Sequence, residues 1–302
     1  MRLFVTGGSG FIGSAVVPEV RGAGHEVVGL ARSDASAAAL AAAGAEVLRG
    51  DLEDLDSLRL GATESDGVIH LGYVHDFSDM SIGAAVDLRA IEAIGETLAG
   101  SGKPFVITTG TLLLALGDVG LSPGTFGTEE DVSHSAFMPR VTSENTAIAF
   151  GGEDVRSAAI RLSPTVHGVG DHGFVPILIG IAREKGVSGF VGDGANRWPG
   201  VHRLDAARLC RLVVEEAPAG TRWHGVGDEA VPFRDIAEVI GRHLGVPARS
   251  IPPEEAAGHF GFLGGLVQAD NPTSNALTRK RLGWEPVEAG LLADLDEGHY
   301  FA

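Results

Sequence analysis

A chain of 302 residues with 44% hydrophobic content can bury a sizeable core, in one large domain and a smaller lobe rather than in three domains. Its formal net charge of −17 excludes a broad basic footprint for nucleic acid, which needs clustered Lys and Arg, and disfavours an anionic membrane surface. The single cysteine, Cys210, permits no intramolecular disulfide, no apolar run reaches the ~18 residues of a bilayer span, and no basic, apolar leader precedes the first strand, so the expected location is the cytoplasm.

The first element organises the rest. Leu3-Phe4-Val5-Thr6 is a short apolar run that turns through Gly7-Gly8-Ser9-Gly10-Phe11-Ile12-Gly13 into a helix predicted from about Ser9 to Arg21. Glycines spaced G-x-x-G-x-x-G let a strand stop, turn tightly and present bare backbone N–H groups to a pyrophosphate at the positive end of that helix. This predicts a dinucleotide site on Gly7, Gly10, Phe11, Ile12 and Gly13. A second apolar run, Glu26-Val27-Val28-Gly29-Leu30, ends in Ala31-Arg32-Ser33, where an adenosine ribose would lie. An acidic residue there would bind the 2′-hydroxyl of NAD, whereas Arg32 and Ser33 offer donors to a 2′-phosphate, so NADP(H) is expected. In the competing reading Asp34 takes the ribose and the cofactor is NAD.

Ala35 to Ala43 fits a helix. Glu46-Val47-Leu48-Arg49-Gly50 then leads into Asp51-Leu52, and Gly67-Val68-Ile69-His70-Leu71-Gly72 closes the half-sheet. A helix is predicted over about Ile82–Ala99, a fifth strand over Pro104–Thr108, a polar loop over Gly117–Ser135, a helix over about Arg140–Phe150 and a strand over Ser157–Arg161. Apolar runs separated by helices imply an α/β fold, a doubly wound parallel sheet with ligands at the carboxyl ends of its strands. From Gly168 the alternation loosens, leaving helices over Phe174–Lys185 and Phe233–Leu244 and an amphipathic stretch around Cys210, which reads as packing rather than as a reactive thiol. Residues 1–165 are assigned to the Rossmann domain and 166–302 to a substrate lobe with segments returning to the sheet.

Thr-Gly-Gly-x-Gly-Phe-Ile-Gly, Gly50-Asp51-Leu52 and His70-Leu71-Gly72 together resemble the short-chain dehydrogenase/reductase superfamily, in its extended and atypical branch of NAD-dependent epimerase/dehydratase-like proteins. The resemblance continues through Arg161-Leu162-Ser163-Pro164-Thr165-Val166-His167-Gly168, which is similar to Arg-Pro-x-x-Val-Tyr-Gly. Gly192-Asp193-Gly194 with Val201-His202-Arg203-Leu204-Asp205 is similar to Gly-Asp-Gly…Val-His-Val-x-Asp, and Leu282-Gly283-Trp284-Glu285-Pro286 to Leu-Gly-Trp-x-Pro. It implies cofactor contacts at Asp51, Leu52, Leu71, Gly72 and Pro164, and a homodimer built on the helices near 82–99 and 140–150.

The chemistry departs from that pattern. The family's Tyr-x-x-Ser-Lys falls on Arg140-Val141-Thr142-Ser143-Glu144. Arginine keeps its proton at any working pH and can anchor an oxygen but not deliver a proton in turn. A bland reading makes Arg140 and Glu144 an i, i+4 ion pair on an exposed helix face. The serine run after the fifth strand becomes Thr108-Thr109-Gly110-Thr111, with Thr109 or Thr111 the substitute hydroxyl, and Asp87 stands where an asparagine is expected. Tyr73 and then His75 are the candidate replacement proton donors, against a reading as pocket walls. His167, His172 and His202 come from neighbouring segments without metal-ligand spacing, so no metal is assigned.

Three functions fit these residues. The first is an oxidoreductase exchanging hydride between NADP(H) and the carbonyl or alcohol of a small organic substrate, with Thr109 or Thr111 and Arg140 polarising the oxygen. The second is a sugar-nucleotide epimerase or dehydratase, with a diphosphate anchored among Arg183, Lys185, Arg197 and Arg203. The third is a non-catalytic redox sensor that binds NADP(H).

Overall fold

The structure is a computed structural model that describes residues 1–74, 80–119, 124–135 and 138–301. The chain opens with β1 (Arg2–Thr6), α1 (Gly13–Gly22), β2 (Glu26–Ala31), α2 (Asp34–Ala42), β3 (Glu46–Arg49), α3 (Leu55–Thr63) and β4 (Gly67–His70). It continues through α4 (Met80–Leu98), β5 (Pro104–Gly110), α5 (Leu112–Leu116), α6 (Pro139–Ala149) and β6 (Arg156–Leu162). Leu3, Phe4, Val5, Phe105, Val106 and Ile107 are fully buried, as strands covered on both faces must be. The first helix starts at Gly13 rather than near Ser9, because the residues between Gly7 and Ile12 are spent on consecutive tight turns, with Gly10 N–H bonded to the Gly7 carbonyl at 3.0 Å.

The later half contains β7 (Thr165–His167), α7 (Phe174–Lys185), β8 (Ser188–Val191), β9 (Arg197–His202), α8 (Arg203–Glu216), β10 (Thr221–Gly225), β11 (Asp228–Pro232), α9 (Phe233–Leu244) and β12 (Ala248–Ile251). It ends with α10 (Ala256–Phe260), α11 (Ala276–Leu282) and α12 (Leu291–Asp296). Seven strands form one parallel sheet in the order β10-β6-β5-β4-β1-β2-β3. The sheet therefore recruits β10 from the second half, with Trp223 in register with Ile160. Strand order reverses at β1, which lies between β2 and β4, and that reversal opens the crevice in which ligands of such sheets bind.

Two apolar layers sandwich the sheet. On one face α1 and α8 pack together through Val16, Val17, Val20, Leu209 and Val213. Cys210 lies fully buried among them, and burial pushes its thiol up to about 12. On the other face Leu58, Ile91, Ile94 and Phe150 cover Phe4 and Phe105. A third cluster, centred on Trp198, Phe233 and Phe260 with edge-on ring contacts, belongs to the second half. There β11-β9-β7 and β12-β8 form two small sheets. Among the described residues no helix is long and apolar enough to cross a membrane.

Candidate active site

The glycine turn is built by close backbone approach. Gly7 has φ +68° and passes so near β4 that an added Cβ would lie 2.7 Å from the Gly72 amide nitrogen, which only glycine tolerates. A Cβ on Gly13 would overlap the Gly7 carbonyl oxygen. Gly10 is exposed at the front of the turn, and a Cβ added there would lie 3.3 Å from the Gly7 carbonyl oxygen. The arrangement fits a pyrophosphate: an open front without a side chain at Gly10, a tightly packed back, and α1 leading away from it.

At the far end of the crevice Arg32 and Ser33 are exposed. Ser33 caps α2 in a reciprocal pair with Ser36: its hydroxyl accepts the Ser36 N–H at 3.2 Å, and its own N–H donates to the Ser36 hydroxyl at 3.0 Å. Asp34 forms an ion pair with Arg49 of β3. Asp51 accepts the N–H groups of Glu53 and Asp54 at 2.8 and 3.0 Å, fixing the turn that sets Leu52 beneath Gly72. Leu71 and Pro164 are half-buried at the ends of β4 and β6.

The strand ends carry a chain of polar groups. The Gly72 N–H donates to Thr6 Oγ1 at 3.1 Å, so the Thr6 hydroxyl proton is available to His70 Nδ1, 2.8 Å away. His70 Nε2 in turn faces Asp87 Oδ1 at 3.3 Å. Asp87 Oδ2 faces Arg140 Nε at 3.7 Å. Burial pushes the Asp87 carboxyl up, but Arg140 and His70 outweigh it and hold the group below its ordinary value. Arg140 also donates to the Thr108 carbonyl, and its guanidinium lies 4.2 Å from the Tyr73 ring centre. Burial raises the Tyr73 phenol, and the counter-pull of Arg140 does not reverse this. The Tyr73 hydroxyl packs 3.3 Å from where a Cβ would stand on Gly83 of α4. Tyr73, Asp87 and Arg140 are thus brought together; His75 lies outside the described residues.

The reading of Arg140 and Glu144 as a surface ion pair is corrected by the structure. Glu144 is 3% exposed: it accepts from Arg161 Nε at 2.9 Å and Nη2 at 2.6 Å, from Arg222 Nε at 2.7 Å and from the Thr109 hydroxyl at 2.8 Å. The two residues point to different partners because α6 lays Glu144 against β6 and β10, while Arg140 meets α4. Burial raises the Glu144 carboxyl, and the two guanidiniums more than offset this and hold it at about 2. Thr109 therefore gives its proton to Glu144, and the fully buried Thr111 accepts from Asn271 at 2.9 Å.

The three histidines of the second half do not converge on this chain of groups. His167 is buried with Nδ1 2.9 Å from Asp294, His202 caps α8 by accepting the Leu204 N–H at 3.3 Å, and His172 lies edge-on to Phe11 with ring centres 5.8 Å apart. Of the basic residues, Arg197 is held bidentately by Asp270 at 3.0 and 2.7 Å, Arg183 donates to the Phe301 carbonyl at 3.2 Å and Lys185 lies 3.5 Å from Glu184. Sequence reasoning missed His70 as the link between glycine turn and Asp87; a histidine ending an otherwise apolar strand was the available signal. It missed Arg222 altogether.

Comparison with known proteins places these features in context. The model of the NAD dependent epimerase/dehydratase family matches residues 3–224. The uncharacterized protein C2A9.02 of Schizosaccharomyces pombe is 48% identical over 301 residues, covering 100% of both chains. A 2′-dehydrokanamycin reductase of Streptomyces kanamyceticus is 30% identical over 270 residues, 85% of this chain and 71% of that one. Among solved structures, the dTDP-glucose 4,6-dehydratase DesIV of Streptomyces venezuelae, with NAD and TYD bound, superposes with a TM-score of 0.76 at 20% identity, over 100% of this chain and 98% of that one.

Proposed function

The chain belongs to the NAD dependent epimerase/dehydratase family, and from that membership we propose that it is an NADP(H)-dependent reductase of a small carbonyl compound. Residues 1–165 hold the dinucleotide and 166–302 close over the substrate. Gly7, Gly10, Phe11, Ile12 and Gly13 take the pyrophosphate, Arg32 and Ser33 the 2′-phosphate, and Asp51, Leu52, Leu71, Gly72 and Pro164 line the adenosine and nicotinamide ends. When bound, the dinucleotide supplies a hydride to the carbonyl carbon.

The residues of the chain do the rest. Tyr73, its phenol held above the ordinary value and so protonated at neutral pH, donates a proton to the developing alkoxide. Arg140, a fixed cation against the same ring, polarises the oxygen without exchanging its own proton. Asp87, His70 and Thr6 anchor that cation to the glycine turn. Thr109 and Thr111, with their hydroxyls engaged inside the protein, hold the end of β5 in place. The observation that carries this reading is the contact of Arg140 with both Tyr73 and Asp87 at the strand ends. Asp34 paired with Arg49 supports NADP(H) over NAD. The internal partners of Arg183 and Arg197 count against a sugar-nucleotide diphosphate in the second half.

The test is calorimetric binding of NADPH and NADH, followed by nicotinamide absorbance with a panel of ketones and aldehydes. Tight NADPH binding and turnover of a panel member are expected, with kcat about a hundredfold lower in Tyr73→Phe. NADPH binding without turnover of any carbonyl would leave the sensor reading in its place, and full activity of Tyr73→Phe would remove the proton-donor role.

A further inference from the structure

Arg203 stands where the family pattern Val-His-Val-x-Asp has its second valine. It is the first residue of α8, yet its side chain crosses to the glycine turn, with the guanidinium carbon 5.2 Å from the Phe11 ring centre. Nη1 donates to the Val169 carbonyl at 2.9 Å. Among the described residues no carboxylate lies within ion-pair distance of it, whereas Arg197 has one and Arg208 and Arg211 have two each. A half-buried cation is thus left unneutralised beside Phe11, whose neighbours Gly10 and Ile12 frame the open front of the turn.

The segment that supports it is tied down. The Gly168 N–H donates to the Tyr300 hydroxyl at 3.0 Å, and that hydroxyl donates to Asp171 Oδ2 at 3.0 Å. Asp171 Oδ1 accepts the Gly173 N–H at 2.6 Å. The loop between β7 and α7 is therefore held from the chain's end, and it delivers the Val169 carbonyl to Arg203 and the His172 ring to Phe11. Two groups of the second half so bracket one ring of the dinucleotide turn.

We propose that Arg203 binds the diphosphate of the dinucleotide from the second half of the chain, opposite the glycine amides, so that cofactor affinity depends on a residue far in sequence from the glycine motif. The proposal rests on the cofactor reading above. A guanidinium with donors to spare suits this task, because the amides alone supply hydrogen bonds but no full positive charge to a dianionic bridge. Its aliphatic stem stays on Phe11, so Arg203→Met removes the charge and keeps the packing.

The experiment measures binding of NADPH and of adenosine 2′-monophosphate, which has no diphosphate, to wild type and Arg203→Met, with UDP titrated in saturating NADPH as a separate arm. The expected result is a Kd for NADPH raised about tenfold or more, rising less steeply with salt than in wild type, with adenosine 2′-monophosphate unaffected. Equal NADPH affinity in the two proteins overturns the proposal, as does weakened UDP binding with NADPH unchanged, which would assign the charge to a substrate diphosphate. Wild type that binds no NADPH would instead refute the cofactor reading. Arg203→Lys, which keeps the charge, recovers part of the lost affinity; no recovery, with a melting temperature lowered as in Arg203→Met, would reduce Arg203 to a structural contact and overturn the proposal.

Discussion

Replacing Glu144 by glutamine probes whether this residue is an internal counter-ion or a ligand of the cofactor, the role of the lysine at that position in the family pattern. The carboxylate accepts from Arg161, Arg222 and Thr109, and it is held at about 2 against an ordinary 4.5. That difference corresponds to about 3 kcal/mol in favour of the ionised form in the fold. Glutamine keeps the volume but leaves Arg161, which is fully buried, and Arg222 without an anion; removing one partner of a buried pair costs about 3–5 kcal/mol. Urea unfolding at neutral pH should show a loss of that size. Because the folded pKa is the depressed one, the stabilisation is fully present above the carboxyl pKa of the unfolded chain and is lost as pH falls towards about 2. The gap between wild type and variant is therefore constant near neutrality and closes in acid. Glu144→Lys, which restores the family residue, adds a third cation to the cluster and should not fold. A loss below about 1 kcal/mol, or an unchanged stability accompanied by weaker NADPH binding, would refute the counter-ion assignment.

Other outcomes follow from single contacts. Gly13→Ala places a methyl group on the Gly7 carbonyl and should abolish NADPH binding while the chain stays folded, read by calorimetry and by circular dichroism. Arg32→Ala should weaken NADPH about tenfold and leave NADH unchanged; equal losses for both cofactors would remove the 2′-phosphate role. Cys210, buried and pushed up to about 12, should resist thiol reagents in the native state and react at the rate of global unfolding.

What the sequence disclosed follows from how far each determinant reaches along the chain. The glycine turn was legible because Gly7, Gly10 and Gly13 lie within one turn and their packing partners are each other and Gly72. The helices Phe174–Lys185 and Phe233–Leu244 were legible to the residue, since apolar periodicity is a local signal and Gly186 and Gly245 end them in the left-handed conformation. The strands β7, β8 and β12, three or four residues each, are too short to show alternation, and they exist because a distant strand pairs with them. Glu144 was misread for the same reason. Its partners come from residues 161 and 222, and no helical spacing announces a carboxylate turned inward.

The charged residues at the positions where the resemblance expects the family's active-site groups are paired inside the fold. Glu144 is paired with Arg161 and Arg222, and Arg140 faces Asp87. Buried charges left unpaired cost several kcal/mol each, so Arg140 and Asp87 should be energetically coupled. A double-mutant cycle decides the point. Arg140→Tyr alone leaves the buried Asp87 with His70 but no cation, and Asp87→Asn alone removes the anion facing Arg140, whereas the double variant pairs two neutral groups. The two losses should therefore fail to add by about 1–3 kcal/mol in urea unfolding. Additivity within about 0.5 kcal/mol would mean that Arg140 and Asp87 are indifferent to one another, and the chain of contacts from Tyr73 to the glycine turn would lose its middle link.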